Sequence, residues 1–357
     1  MSSDIFYYKL SGKSTMADRV QGIKAISQLE IWDSVLKQKE FCAIKLHIGE
    51  KRNTTYIKPE ITKIIVNRVK RSGSLVFLTE TSTLYKGQRA NAVDHINMAL
   101  EHGYTPKNVG ASFIMADGLL GDSEIDVEIP GEIFKSVSIA REAIMADSLV
   151  VLSHPTGHLG CGLGAAIKNV GMGLASRKGK MRQHSAIKPF VIEKKCVFCQ
   201  KCLQWCPESA IIEQNKKAFI QENKCIGCGE CLAVCTYDSI GYNWSMESAE
   251  TQKRMAEHTL GVVQNKRDRC LFLNLLWDMT KDCDCIGSAQ EPIIDDVGIL
   301  LSFDPVAIDQ ATLDLTARAN GKSLAAVSFS HLDAQVQIDH GQKIGLGSKE
   351  YKLIEMN

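Results

Sequence analysis

The residues best suited to chemistry are cysteines in two arrays, Cys196-x2-Cys199-x2-Cys202-x3-Cys206-Pro207 and Cys225-x2-Cys228-x2-Cys231-x3-Cys235. A cubane iron-sulfur cluster needs four thiolates converging on its iron corners, and two-residue spacers let one tight loop supply three of them. Where two such clusters share a small domain, the last Cys of each run crosses to the other cluster. The expected sets are therefore Cys196, Cys199, Cys202 and Cys235 for one [4Fe-4S] cluster, and Cys225, Cys228, Cys231 and Cys206 for the second. Zinc also uses paired Cys-x2-Cys, but it closes with four ligands and leaves runs of three plus one unexplained. Six acidic and six basic side chains lie between Val191 and Ser245, a balance that suits an internal relay between an outside electron carrier and a buried site.

A second concentration of reactive types is the glycine-rich stretch Gly157 to Lys168, GHLGCGLGAAIK, followed by His184. Glycine density of this kind lets backbone approach a ligand and present amide donors to it. His158, Cys161, Lys168 and His184 offer two imidazoles, a thiol and an amine, enough for a metal or a covalent adduct. The stretch matches neither the P-loop nor the GxGxxG pattern. A Gly-rich packing turn with a core Cys and two surface His is the plainer reading. Arg177, Lys178, Lys180, Arg182 and Lys188 follow with no acid among them, which reads as a solvated basic loop, an anion-attracting rim or a docking patch for an acidic carrier. Lys45, His47, Glu80, Thr81, Thr83, Arg89 and His95 follow predicted strand ends and are expected to line one crevice, with Arg89 suited to carboxylate recognition. Cys283-Asp284-Cys285 reads as too close to form a disulfide and too isolated to hold a metal alone. It is either structural, beside a cluster, or part of a site with Cys161. Asp304-Pro305 reads as a helix start.

Positioning these residues falls to strand-like runs at 41–48, 74–79, 111–115, 149–153 and 298–303, with helical segments such as 59–72 and 90–102 between the first four. Strand alternating with helix predicts an α/β fold, a mostly parallel sheet with helices on both faces. The sheet is interrupted by a small α+β two-cluster ferredoxin domain. The expected boundaries are 1–190 and 242–357 for the two parts of the α/β domain and 191–241 for the insert, with a helix over 242–265. The chain has 357 residues, 13 of them Cys, and 42 basic against 41 acidic side chains. A charge this balanced selects neither nucleic acid nor an anionic membrane. With no apolar run of about 20 residues and no secretory layout at the start, the expectation is a cytoplasmic protein with reduced thiols.

The segments TETSTLYKGQRANAVDH, GHLGCGLGAAIKNVGMG, KDCDC and DPVAID, together with the cysteine arrays, resemble the domain-of-unknown-function 362 family over nearly the whole chain. That resemblance implies an α/β domain, often with an inserted two-cluster ferredoxin, and names no substrate. The arrays themselves resemble bacterial two-cluster ferredoxins, with Thr236 where a second Pro is usual. One loop is similar to the lactate racemase family, in which a His, a Lys ten positions on and a second His sixteen further serve a nickel-pincer cofactor. The likeness implies an acid/base role for His158, cofactor attachment at Lys168 and nickel binding at His184, while Cys161 and the arrays depart from that pattern. Three functions are compatible with these residues. The leading one is a ferredoxin-coupled oxidoreductase, used in anaerobic metabolism, that passes electrons from an external carrier to a small anionic or carbonyl substrate at the glycine-rich loop. The others are a non-catalytic electron-transfer or redox-sensing module and a metal-dependent isomerase. An additional metal, a nickel-pincer group or a flavin is compatible with the α/β domain.

Overall fold

Apolar residues alternate along each central strand so that successive side chains enter two different cores. Along Phe41–Lys45 (β2), Cys42 and Ile44 face one core and Ala43 the other, and along Ser148–Ser153 (β5), Leu149 and Val151 oppose Val150 and Leu152. Period-two burial on both faces is what a sheet covered by helices on each side requires. The remaining strands are Ser3–Gly12 (β1), Leu75–Glu80 (β3), Ser112–Met115 (β4), Cys270–Leu276 (β6), Asp296–Ser302 (β7) and Tyr351–Met356 (β8). The computed structural model describes residues 2–85, 87–184, 188–241 and 248–356.

The eight strands form one sheet in the order β8-β1-β7-β6-β5-β2-β3-β4. The run from β6 to β4 is parallel throughout, and β7 pairs antiparallel with both β6 and β1. The α/β fold expected from the sequence is therefore present. Helix Pro59–Arg71 (α1) begins on a proline at its first turn and packs Ile61, Ile65 and Val69 into one core. Helices Ala166–Gly171 (α2), Ser248–Val263 (α4) and Pro305–Asn320 (α5) cover the opposite face with Ile167, Met255, Leu260 and Ile308. Asp304 caps α5, its carboxylate accepting from the amides of Val306 and Ala307 at 2.8 and 3.1 Å, as the Asp-Pro start implied. The expected helix over 242–265 is described from Ser248, and residues 242–247 lie outside the described part.

Residues 190–241 have a third, smaller core of Cys196, Ile211, Ala218, Ile220, Cys231 and Ile240. Phe190–Val191 pairs antiparallel with Ile240–Gly241, which brings the two ends of the segment together, and Ile211–Gln214 pairs with Lys217–Ile220. Each cysteine array turns through a left-handed residue, Gln200 at φ 64° and Gly229 at φ 81°, into a five-residue helix. The segment is thus built from two similar halves. No described helix is long and apolar enough to cross a membrane.

Candidate functional site

The carboxyl ends of three adjacent strands, β3, β2 and β5, open into a cavity of about 470 Å³. This is the edge where parallel sheets bind ligands, and the volume suits a small molecule. β2 ends on Lys45, which is fully buried: its ammonium donates to Asn169 Oδ1 at 2.7 Å and to the Leu46 carbonyl at 2.5 Å, and lies 3.5 Å from Glu80. Burial pulls Lys45 down to about 8 against the opposing pull of Glu80. Burial alone would raise Glu80, but His47, Lys45 and His95 together hold it well below the usual carboxylate range. Gly173 makes room for the ammonium, since a β-carbon there would sit 2.6 Å from Lys45 Cε. Arg89 forms an ion pair with Glu50 at 3.2 Å, bonds the Tyr85 hydroxyl and lies 3.3 Å from His47 Nε2. Lys45, His47, Glu80, Thr81, Thr83 and Arg89 all line the cavity as the strand-end argument expected. His95 does not: it is buried behind Glu80, 3.1 Å from its carboxylate, one layer away from the cavity surface.

The glycine-rich stretch forms a hairpin, Thr156–His158 with Gly162–Gly164, that leads into α2. Buried Asp309 accepts from the amides of Ala166 and Ile167, both at 2.9 Å, and so fixes the start of the helix that carries Lys168 and Asn169. Lys168 reaches the cavity with no hydrogen-bond or ion-pair partner among the described residues. Burial lowers its pKa, and Arg89 adds to that effect while Cys161 opposes it. Burial and then Lys168 drive His158 far below its usual value, and burial with Lys168 and Lys180 lowers His184 to about 4. Both imidazoles are neutral at pH 7. The Gly160 amide donates to His158 Nδ1 at 3.1 Å, which puts the ring proton on Nε2. His158, Lys168 and His184 share the cavity. Cys161 lies instead in the apolar core, its sulfur 3.0 Å from His158 Nδ1 and its thiol pushed up to about 12 by burial.

The basic stretch after Arg177 is not a solvated loop. Residues Arg177–His184 form a helix (α3) whose cations are spent on neighbours. Arg177 donates to the carbonyls of Leu120, Thr83 and Ala90, and Lys178 pairs with Glu124 and Asp126. Lys180 donates to Thr81 Oγ1 at 2.5 Å and to the Ala175 carbonyl at 2.6 Å while lining the cavity. Carbonyl-rich loop ends around β3 and β4 supply these acceptors, and the sequence alone does not show that they lie against α3.

Cys283 and Cys285 also correct the sequence reading. They are joined as a disulfide and both line the cavity. Their Cα atoms are 5.3 Å apart, inside the span a disulfide bridges, because the chain turns at Asp284 with the Ile286 amide donating to the Cys283 carbonyl. Asp284 accepts from Thr55 Oγ1 and from His154 Nδ1, both at 2.8 Å. His154 Nε2 faces the Trp277 carbonyl at 2.9 Å, so both ring nitrogens donate and the ring is a cation. Burial opposes that charge, but Asp284 raises the His154 pKa. Burial likewise opposes ionisation of Asp284, yet His154, His47 and Thr55 bring it down to about 2. Gly157 lets the glycine-rich hairpin pass this loop: a β-carbon there would lie 2.1 Å from the Lys281 carbonyl. Sequence reasoning passed over His154, Asn169 and Thr55. The one available signal was the position of His154 directly after β5, at the same sheet edge as Lys45.

In the cysteine segment, Cys206, Cys225, Cys228 and Cys231 line one small recess. Cys202 lies within electrostatic reach of Cys199, Cys235 and Cys196. None of the eight is in a disulfide. Backbone amides point at the sulfurs of Cys206, Cys196, Cys225 and Cys235 at 3.2 to 3.5 Å, the kind of donor that stabilises a metal-bound thiolate. These thiols and amides suit iron-sulfur clusters in their chemistry. Among the described residues no three His, Cys, Asp or Glu side chains form a group that could hold a metal ion. Gly229 of the second array sits against α3, where a β-carbon would be 2.7 Å from Met181 Cγ.

Sheet, crossover helices and carboxyl-edge cavity define an α/β architecture carrying a cysteine-rich segment. The chain belongs to the family described as "Domain of unknown function (DUF362)", whose model matches residues 42–314. Pyruvate synthase subunit PorD of Methanothermobacter marburgensis is 35% identical over 54 residues, 15% of this chain and 63% of that protein. Two solved structures are similar at 12% identity. The lactate racemase apoprotein from Thermoanaerobacterium thermosaccharolyticum has a TM-score of 0.39, with 76% of this chain and 51% of that one covered. A Thermotoga maritima protein has a TM-score of 0.46, with 90% and 61% covered. The chain thus spans less than two thirds of the length of each of these relatives.

Proposed function

We propose that this chain is an iron-sulfur electron-transfer protein that works as a ferredoxin-coupled oxidoreductase on a small anionic or carbonyl-bearing substrate in the cavity. The observation that carries this reading is one helix touching both centres: α3 meets the second cysteine array at Met181 and presents Lys180 and His184 to the cavity. The likeness to a protein named as a pyruvate synthase subunit supports a protein partner, which this reading takes to be the external electron carrier. Cys196, Cys199, Cys202 and Cys235 would hold one [4Fe-4S] cluster, and Cys206, Cys225, Cys228 and Cys231 the other. Bound clusters would supply single electrons. Lys168, a cavity cation with no hydrogen-bond or ion-pair partner among the described residues, binds substrate negative charge. Neutral His158 and His184 accept or return a proton at the reacting atoms.

The test is metal, sulfide and chromophore content of anaerobically purified protein, with electron paramagnetic resonance after reduction. About eight irons per chain with matching sulfide is the expected result. Stoichiometric zinc without sulfide would overturn the cluster assignment, and nickel or a flavin would move the redox centre into the cavity. For the substrate site, Lys168→Ala and His158→Ala are expected to weaken binding of small carboxylates with the iron content unchanged; equal binding by both variants would remove these residues from the site.

A further inference from the structure

Residues that stabilise a fold through a disulfide do so mainly by closing a long loop, and a bond between Cys283 and Cys285 closes almost none. Its position suggests chemistry instead. Both cysteines line the cavity, with Cys283 5% exposed and Cys285 the more accessible. The residue between them is held without help from the sulfur bond. Asp284 accepts from Thr55 and His154 through its carboxylate and from the Glu50 amide through its carbonyl at 2.9 Å. Opening the S–S bond therefore leaves the backbone of the loop anchored, so the two sulfurs need only separate to non-bonded contact and can close again, which a centre that opens and closes repeatedly requires.

We propose that Cys283 and Cys285 form a redox-active dithiol/disulfide couple that exchanges with an anionic, low-molecular-weight disulfide bound in the cavity. In the forward step, two electrons from a low-potential one-electron donor and two protons from water convert the Cys283–Cys285 disulfide into two thiols. The accessible Cys285 thiolate then attacks one sulfur of the bound disulfide, expels the first substrate thiol and forms a mixed disulfide. Cys283 attacks Cys285, re-forms the intramolecular bond and expels the second substrate thiol. One substrate disulfide is reduced to two thiols for each internal disulfide re-formed. The anionic preference follows from the wall: Lys45, Arg89, Lys168 and Lys180 face the carboxylates of Glu80 and Asp284 alone, and Lys168 has no hydrogen-bond or ion-pair partner among the described residues.

Delivery of electrons by way of the cysteine arrays rests on the proposed function, whereas exchange with dithiols does not, so the two are tested separately. In the first arm, anaerobic protein is equilibrated in buffers of reduced and oxidised dithiothreitol, alkylated under native conditions and digested, and the peptide bearing Cys283 and Cys285 is weighed. The expected result is reversible interconversion of an unmodified, cross-linked form and a doubly alkylated form. A peptide that stays alkylated at every poise, or that never opens in folded protein, overturns the couple. In the second arm, the reduced protein is mixed with dithiodiglycolate, which is anionic, or cystamine, which is cationic. The anionic reagent is expected to react at least about tenfold faster at low salt, with the gap narrowing in high salt and in Lys168→Met. Equal rates overturn the anionic substrate class. In the third arm, reduced methyl viologen is expected to open the pair in the native protein and more slowly in Cys225→Ser. Opening by dithiothreitol with no iron in the protein and no response to viologen would sink the iron-sulfur reading and leave the couple standing. Opening by viologen at equal rates in both proteins would remove the arrays from its supply.

Discussion

The eight thiols between residues 196 and 235 come from one continuous stretch, and the spacing within each array implies that its first three sulfurs lie together. The cavity collects Lys45, Glu80, His154, Lys168, His184 and Asp284 from six separate stretches that meet only because β3, β2 and β5 are neighbours in the sheet. In the first region local turns do the positioning; in the second the topology does it, aided by half-buried Asn169 and by the buried carboxylates of Asp309 and Asp284. Damage to the first region should therefore be confined and chemical. Damage to the second should spread through a shared network and appear as lost stability.

The largest effect expected is on metal content. Cys206→Ser removes one thiol from the recess it shares with Cys225, Cys228 and Cys231 and, on the proposed two-cluster reading, should cost about half of the roughly eight irons, with the other proposed cluster's signal retained. Because that recess has its own small core, small-carboxylate binding in the cavity should be little changed. Loss of all iron together with cavity binding would mean that the two regions fold as one unit and would break the contrast.

Next in size is Asp284→Asn. It leaves the His154 cation buried without its partner, and breaking a buried pair in this way costs about 3–5 kcal/mol, seen as a lower urea midpoint. The pH dependence has a definite sign. Asp284 is depressed to about 2 in the fold, so its contribution is complete above the unfolded value of about 3.9 and is lost as pH falls from there toward about 2. The variant should lack that part of the acid limb. Gly173→Ala comes third, at about 1–3 kcal/mol, because the added methyl would lie 2.6 Å from Lys45 Cε and 2.2 Å from the Asn169 carbonyl. An unchanged midpoint for that variant would show that Lys45 has freedom to move that its hydrogen bonds do not suggest.

How much was legible follows the same divide. The arrays, the five predicted strands, the Asp304 cap and most of the strand-end crevice could be read directly, because each is encoded in local spacing or periodicity. Strand β1 was not, since SDIFYYKLSG mixes buried Ile and Tyr with exposed Lys and Ser in an irregular pattern. The helix Arg177–His184 looked like a loop because its cations are neutralised by carbonyls from distant chain segments. His154 carried no signal beyond its position after β5: its charge exists because Asp284 and the Trp277 carbonyl meet it. Cys161 looked reactive by its neighbours in sequence, and its packing in the core is a property of the hairpin.

The smallest stability effect is expected at Lys168, and it discriminates most sharply. Lys45 and Lys180 have acceptors that hold them, so their removal strands oxygens; Lys168 has none among the described residues. Lys168→Met should shift unfolding free energy at pH 7 by no more than about 0.5 kcal/mol, and in the stabilising direction, because it removes a desolvated charge near Arg89. The sign can be checked by pH. A lysine whose pKa is lowered in the fold is penalised while it stays charged, and the penalty fades as pH rises from its lowered value toward the ordinary lysine value of about 10.4. Wild type should therefore gain stability relative to Lys168→Met over that alkaline range, measured as urea midpoints at several pH values, while small-anion binding by the variant stays weak throughout. A variant that is strongly destabilised at pH 7 would make Lys168 part of the same structural network as Lys45, and the cavity would then lack a cation reserved for ligand.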